Sequence, residues 1–300
     1  MNLWRNIKRL VMDPPPEYVF EVGEGGIAWV RTAAPERLEW TPLSADVIQV
    51  NPLEDNIRDA AAFQAAVRSL APGNGRLRRA ALILPDYAAR IAVVEFDTFP
   101  SDSAEQSALV RFRIKRSVPF DVESAVVAFH AVERPGTKKV DVTVAALPFE
   151  IASKYEAPFR AAGFHCGFVT VSALAALALP ADPQYDKLTP SMTAKLSGRA
   201  LSLSLFDGAI MRMFRCVELP EVTESELEDV LAPTFAFAED ELGARPKLLK
   251  LCGFPKLDAR TMERWGREMD LALAPVRSRF GTPAAESCGV YGYLETLEIG

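Results

Sequence analysis

The 300-residue chain has only two histidines, His130 and His165, and four cysteines, Cys166, Cys216, Cys252 and Cys288. The cysteines are far apart and form no CxxC pair. Neither a zinc site nor a disulfide framework is expected, and all four read as core or partly buried thiols in a reducing compartment. With two histidines and no GxSxG there is no Ser, His and Asp arrangement to test; His165, at a strand entry, is expected to be semi-buried. No apolar run approaches the roughly 18 residues of a membrane-spanning helix, because Ala173 to Leu179 is too short and Pro180 follows at once. The opening MNLWRNIKRL lacks the apolar segment of a signal peptide, so the chain is expected in the cytoplasm. Positive charge is also in deficit. Against 40 Asp and Glu stand 34 Lys and Arg, a net charge of −6, which argues against a nucleic-acid partner.

What is present is a hydrophobic content of 49%, enough for one or two packed lobes. In the first 16 residues Leu3, Trp4, Ile7, Leu10 and Val11 recur at helical spacing around Arg5, Lys8 and Arg9, until Pro14 to Pro16 stop any helix. Such a basic amphipathic segment can lie on an anionic membrane, dock on a partner or pack on its own domain.

FEVGEGGIAWV, Phe20 to Val30, outlines a hairpin with Gly25-Gly26 in its turn. A second strand-like pair is read around Leu38 and Val47 to Val50. A helix over Asp55 to Leu70 stops before PGNG, and Arg79 to Leu84 is a short buried strand running into Pro85-Asp86. Residues 85 to 147 read as strand, helix, strand and strand, a small sheet with one covering helix inserted in a larger fold. A helix from Phe149 to Ala162 ends at Gly163; strand Cys166 to Val171 and helix Ser172 to Leu179 follow. Beyond the link Pro180 to Pro190, Arg199 to Phe206 and Ala209 to Cys216 form a hairpin with Asp207-Gly208 as its turn. Glu224 to Glu241 is helical, Lys247 to Cys252 is a short strand, and Arg260 to Leu273 is helical. A hairpin followed by helices and short buried strands thus occurs once in each half.

LPDYAARIAVVEFDTFPSDSAEQSALVRFRIKRSVPFDVESAVVAFH, Leu84 to His130, resembles the middle of the PilM family, the actin-like proteins of type IV pilus assembly. VTVAALPFEIASKYEAPFRAAGFHCGFVTVSALAALAL, Val142 to Leu179, is similar to the same family's next strand and helices. The block Pro119-Phe120-Asp121 is the most specific part. GspL-type proteins of type II secretion have related lobes, and this block does not separate the two machines. The resemblance implies an α/β fold of the actin, Hsp70 and sugar-kinase class. Its parts are a first lobe over 17–84 and 148–185, an inserted subdomain over 85–147, and a second lobe over 186–300 whose own small subdomain is reduced. It also implies an adaptor at the cytoplasmic face of the inner membrane. That adaptor holds the N-terminal tail of a PilN-like bitopic protein in a groove beside the inserted subdomain and feeds a ring beneath the pilus.

Nucleotide-binding members of that class grip phosphates between two hairpins, each opened by an Asp-x-Gly whose acid orients Mg²⁺. Here the first reads Glu21-Val22-Gly23 and continues Glu24-Gly25-Gly26. The second reads Lys195-Leu196-Ser197 and continues into Gly198, with no acid between Lys187 and Asp207. The adenosine loop reads Cys252-Gly253-Phe254-Pro255, with one glycine and a bulky pair. A degenerate cleft is expected, without ATP hydrolysis and with no cofactor; an actin-like ATPase or small-molecule kinase is the alternative reading, and a polymerising filament a further one. Asp207 is accounted for by its turn and Asp121 as a cap for Val122 to Ala125. Arg111, Arg113, Lys115 and Arg116 form a basic cluster before Pro119 and Phe120. Either it is a solvated helix face, or it meets acidic partner residues or the inner leaflet. The strand holding Arg212 and Arg215 is expected to pack between the lobes.

Overall fold

A computed structural model of the protein describes residues 15–298, except 72, 74, 186 and 255–258. The amphipathic segment read at the N-terminus lies outside the described residues up to position 14.

Two five-stranded sheets repeat one topology. In the first, strands β1 (Tyr18–Gly23), β2 (Gly26–Arg31) and β3 (Ala34–Pro42) form an antiparallel meander; β4 (Arg78–Leu84) runs parallel to β1, and β8 (Phe164–Val171) parallel to β4, in the order β3-β2-β1-β4-β8. In the second, β9 (Ser191–Ser197), β10 (Ala200–Asp207) and β11 (Ile210–Glu218) form the meander, followed by β12 (Leu248–Cys252) and β13 (Ala272–Pro275), in the order β11-β10-β9-β12-β13.

The central strands are buried on both faces, which is why they read as near-continuous apolar runs. Along β1, Tyr18, Phe20 and Val22 enter a core shared with helices α1 (Ala60–Ser69) and α3 (Phe149–Ala161). Val19 turns to the opposite face, where α4 (Ser172–Ala176) and α7 (Cys288–Thr296) pack. In the second lobe, Met192, Ala194 and Leu196 of β9 and Leu201, Leu203 and Leu205 of β10 pack under α5 (Glu224–Leu242) and α6 (Ala259–Met269). Because side chains alternate along a strand, Thr193, Lys195, Ser202 and Ser204 are driven to the other face of that sheet. All four are buried there.

The inserted unit is a three-stranded sheet in the order β5-β7-β6, made of β5 (Arg90–Phe96), β6 (Ala125–Glu133) and β7 (Val140–Pro148). Helix α2 (Ser103–Ile114) covers one face through Val110 and Ile114. Its Asp102 cap accepts from the Ala104 and Glu105 N–H groups. This unit is tied to the second lobe by charge: Asp141 of β7 receives Arg134 at 2.7 Å and Arg212 of β11 at 3.6 Å, and Arg212 also reaches Glu241 of α5 at 3.0 Å.

Several readings need correction. The first turn is Glu24-Gly25, and Gly26 already belongs to β2; there a Cβ would sit 2.5 Å from the Trp40 ring, so glycine is required by close approach. Val47 to Val50 contributes only an isolated bridge, Ile48 to Ile57, and α1 begins at Ala60, capped by Asp59. The β10 to β11 turn is Gly208-Ala209 with Asp207 paired to Ile210; the positive φ of Gly208 sets it. His165 is exposed. Arg215 is exposed and reaches Thr234 of its own lobe, whereas Arg212 makes the contact between subdomains.

Candidate functional site

The two lobes meet where β1, β4 and β9 end. β1 delivers Glu21 and β9 delivers Lys195, the corresponding strands of the two repeats. The turn after β4, Pro85 to Ala88, delivers Asp86. All three side chains are buried: Glu21 is 4% exposed, Asp86 2% and Lys195 2%.

Each of the three side chains has protein partners. Lys195 Nζ pairs with Asp86 Oδ2 at 2.9 Å, and the Ser202 hydroxyl donates to the same oxygen at 3.2 Å. Asp86 Oδ1 accepts the Ala173 N–H at 2.5 Å. Glu21 Oε1 accepts the Ser172 hydroxyl, and Oε2 accepts the Val290 N–H at 2.8 Å. The network therefore stitches first-lobe strands, the starts of α4 and α7, and second-lobe strands β9 and β10 into one buried knot. Burial pushes the Glu21 carboxyl up to about 7, against the lowering pull of Lys195, Ser172 and the Val290 N–H. For Lys195, burial works to lower the ammonium group, but Asp86 and Glu21 outweigh it and hold it above the ordinary lysine value.

Above this knot opens a cleft of about 310 Å³. Glu21, Gly23, Gly25, Ser197 and Gly198 line it, with Trp40 and Arg199 at its walls. Glu24 also lines it, but its carboxylate is turned to accept the Val50 N–H at 2.8 Å, and Arg199 is paired with Glu218. Lys195 lies beneath the cleft floor. Gly253 takes a positive φ of 71° and is crowded by the Leu196 carbonyl and, at 3.0 Å from an added Cβ, by Ala285. Phe254 packs against the second-lobe core.

The fold class uses this place for a magnesium nucleotide, and the residues present do not fit one. The second acid is a lysine whose ammonium occupies the point where a cation would neutralise the facing carboxylates. Each oxygen of Glu21 and of Asp86 already accepts from a protein donor, and the Lys195 ammonium on Asp86 takes the place of an ion there. Among the described residues no group of three or more His, Cys, Asp and Glu side chains is placed to hold a metal.

Sequence reasoning singled out Glu21 and Lys195 but missed Asp86, Ser172 and α7. A signal existed: a charged residue inside the apolar strand MTAKLS, and alternating serines in LSLSLF, both mark a buried polar face.

The residues expected at a partner surface divide. Arg111 turns inward, donating to the Val122 and Ala125 carbonyls and fixing the Pro119-Phe120-Asp121 turn, while Phe120 packs on the inserted core. Asp121 caps the turn by accepting the Glu123 N–H. Arg113, Arg116 and Pro119 remain outside. A second depression of about 410 Å³ lies between the inserted unit and the first lobe. It is lined by Leu53, Asp55, Ser124, Phe149 and Lys154, with Phe149 62% exposed. Beside it runs β6, an outer strand with only β7 as neighbour among the described residues.

Two repeated lobes around a cleft, with an inserted three-stranded unit, define an actin, Hsp70 and sugar-kinase class fold. No family model and no curated protein matches the chain. Among solved structures it is similar to a chain of a PilM-PilN type IV pilus biogenesis complex, with 16% identity and a TM-score of 0.68 over 94% of this chain and 98% of that one. It is also similar to the cytoplasmic domain of EpsL, an inner membrane component of the type II secretion system of Vibrio cholerae. There the identity is 14% and the TM-score 0.53, over 93% of this chain and 95% of that one.

Proposed function

We propose that the protein is a nucleotide-independent adaptor in the inner-membrane assembly platform of a type IV pilus or a related secretion machine. On this reading it works at the cytoplasmic face and holds the N-terminal tail of a PilN-like bitopic membrane protein. The observation that carries it is the replacement of the metal-orienting acid by Lys195, bonded to Asp86 across the cleft within a fold that otherwise keeps both lobes and the inserted unit. A cleft closed in this way has lost the means to orient a phosphoryl group, and the scaffold around it is retained.

The tail occupies the depression between the inserted unit and the first lobe. An extended segment there can add to the free edge of β6 while its side chains meet Leu53 and Phe149, whose exposed apolar surface is otherwise in water. Lys154 and Asp55 at its rim, paired at 2.6 Å, offer one charge of each sign to the tail.

Calorimetric titration tests this with two ligands: Mg-ATP, and a synthetic peptide of the first residues of the neighbouring bitopic protein. Peptide binding at micromolar affinity with no ATP heat is expected, and Phe149→Asp lowers peptide affinity at least tenfold. Clear Mg-ATP binding without peptide heat overturns the adaptor reading.

A further inference from the structure

Helix α2 has two faces of opposite character. Val110 and Ile114 are sealed into the inserted core, while Phe112, on the opposite side, is 78% exposed. At 100° per residue, Lys115 at the helix C-cap lies beside Phe112 one turn further on and Arg113 to one side, while Arg116 follows in the turn that closes the helix. All three cations are exposed, and none has a hydrogen-bonding or ion-pair partner among the described residues. From Gln106 to Phe120 the chain carries four cations and no carboxylate, although the whole protein has a net charge of −6.

Basic residues at a helix C-terminus are favoured by the dipole, which accounts for part of the charge. It gives no reason for an aromatic ring standing in water among them. The occupant of such a face must be anionic and must accept one protruding ring without a matching pocket. A protein partner needs about 800 Å² of shaped surface on each side. A convex helix with one aromatic and three mobile cations does not supply that. A lipid surface requires no shape complementarity; it takes an aromatic at headgroup depth and basic side chains among its phosphates.

We propose that the outward face of α2 rests on an anionic membrane surface, with Phe112 entering the headgroup layer and Arg113, Lys115 and Arg116 meeting lipid phosphates. The inserted unit then touches the bilayer directly, in addition to any partner protein. The inference concerns lipid alone and does not depend on the tail-binding groove, whose residues are different.

The test is flotation of the full chain with neutral phosphatidylcholine vesicles and with vesicles containing one third phosphatidylglycerol, without any partner peptide. The wild type is expected to float with the anionic vesicles only, and to be released as salt rises. Arg113→Glu/Lys115→Glu/Arg116→Glu lowers apparent affinity on the order of a hundredfold. Phe112→Ser lowers it about tenfold at unchanged melting temperature, because the side chain is exposed; the triple Glu variant, which sets negative charge at the helix C-terminus, melts a few degrees lower and stays folded. A third variant, Arg5→Glu/Lys8→Glu/Arg9→Glu, separates the basic N-terminal segment; it must leave the α2-dependent part of binding in place. The proposal is overturned if the wild type ignores anionic vesicles, if it floats equally with neutral ones, or if the α2 variants float as well as the wild type. Loss of peptide binding in the α2 variants with lipid binding unchanged also overturns it, and assigns the face to a protein partner.

Discussion

Replacing Lys195 by methionine removes the positive charge and keeps the length of the side chain. Asp86 and Glu21 then face each other in a buried site with no cation between them. Removing one partner of a buried, hydrogen-bonded ion pair costs about 3–5 kcal/mol, a fifth or more of the roughly 5–15 kcal/mol stability of a typical domain. For a chain of this size the melting temperature falls by about 5–8 °C. The pH dependence carries more information than the size of the loss. In the variant the Glu21 carboxyl, already raised by burial, loses the lowering pull of Lys195 and holds in the folded state a proton that the unfolded chain would release. Stability of Lys195→Met therefore falls more steeply than that of the wild type as pH rises from about 5 to about 8. Adding Asp86→Asn removes the stranded charge, while its amide oxygen still accepts the Ala173 N–H. The double variant is expected to regain at least half of the loss. Scanning fluorimetry and urea titration of the four proteins at pH 5.5 and pH 8 form the complete cycle. The reasoning is refuted if Lys195→Met costs less than about 1 kcal/mol at pH 8, or if the two substitutions simply add.

Other outcomes follow from the same geometry. Glu21 has its carboxyl raised from 4.5 to about 7, so its contribution to stability falls as pH rises across that interval and is constant above it. Glu21→Gln keeps the Val290 N–H on its amide oxygen and turns its NH2 to the Ser172 hydroxyl oxygen, removes that slope and gains on the order of 3 kcal/mol over the wild type at pH 8 and nothing at pH 4.5, as equilibrium unfolding at several pH values will show. Lys195→Asp places a third carboxylate in the knot. That variant should unfold at lower temperature than Lys195→Met and recover several degrees in millimolar Mg²⁺ or Ca²⁺, with no shift of the wild type; equal effects of the ions on both proteins would contradict the idea that the ammonium stands in for a cation. In α7, a Cβ at Gly292 would run into the carbonyl of Ala175 in α4. Gly292→Ala should therefore cost about 1–3 kcal/mol of stability, read as a lower urea midpoint at unchanged m-value.

The sequence showed where patterns were strong and local. Helices α3 and α5 carry a clear stop or a cap, and the read spans differ from the observed ones by one residue each. Strand β13 is four residues ending in proline and pairs only with β12, so neither alternation nor length marks it. Helix α7, CGVYGYLET, holds two glycines and reads as a poor helix former. Its helicity is imposed by packing: an added Cβ at Gly289 would lie 2.8 Å from the Ser172 hydroxyl and 2.9 Å from the Glu21 carboxyl. The degenerate hairpins were legible because substitution at a fixed spacing is a local fact. Asp86 was not, since Pro-Asp after a strand reads as a turn and its partner lies 109 positions away. Only the fold brings them together.

The position of that pair bears on how the molecule works. In a two-lobed fold, opening and closing is governed by what lies between the lobes, and a bound ligand shifts that equilibrium only by its differential affinity for the two states. Here the bridging charge is covalently part of β9. Its effective concentration does not vary, and no ligand has to be bound or released to hold the lobes at one angle. Asp141 and Arg212 add a second tie from the inserted unit to β11. Enzymes that turn over a ligand between two lobes need them to move in each cycle, and a bridge that cannot leave works against such motion. Under the proposed adaptor role, a groove and a basic helix held at fixed spacing need no such motion, and the buried lysine suits that role.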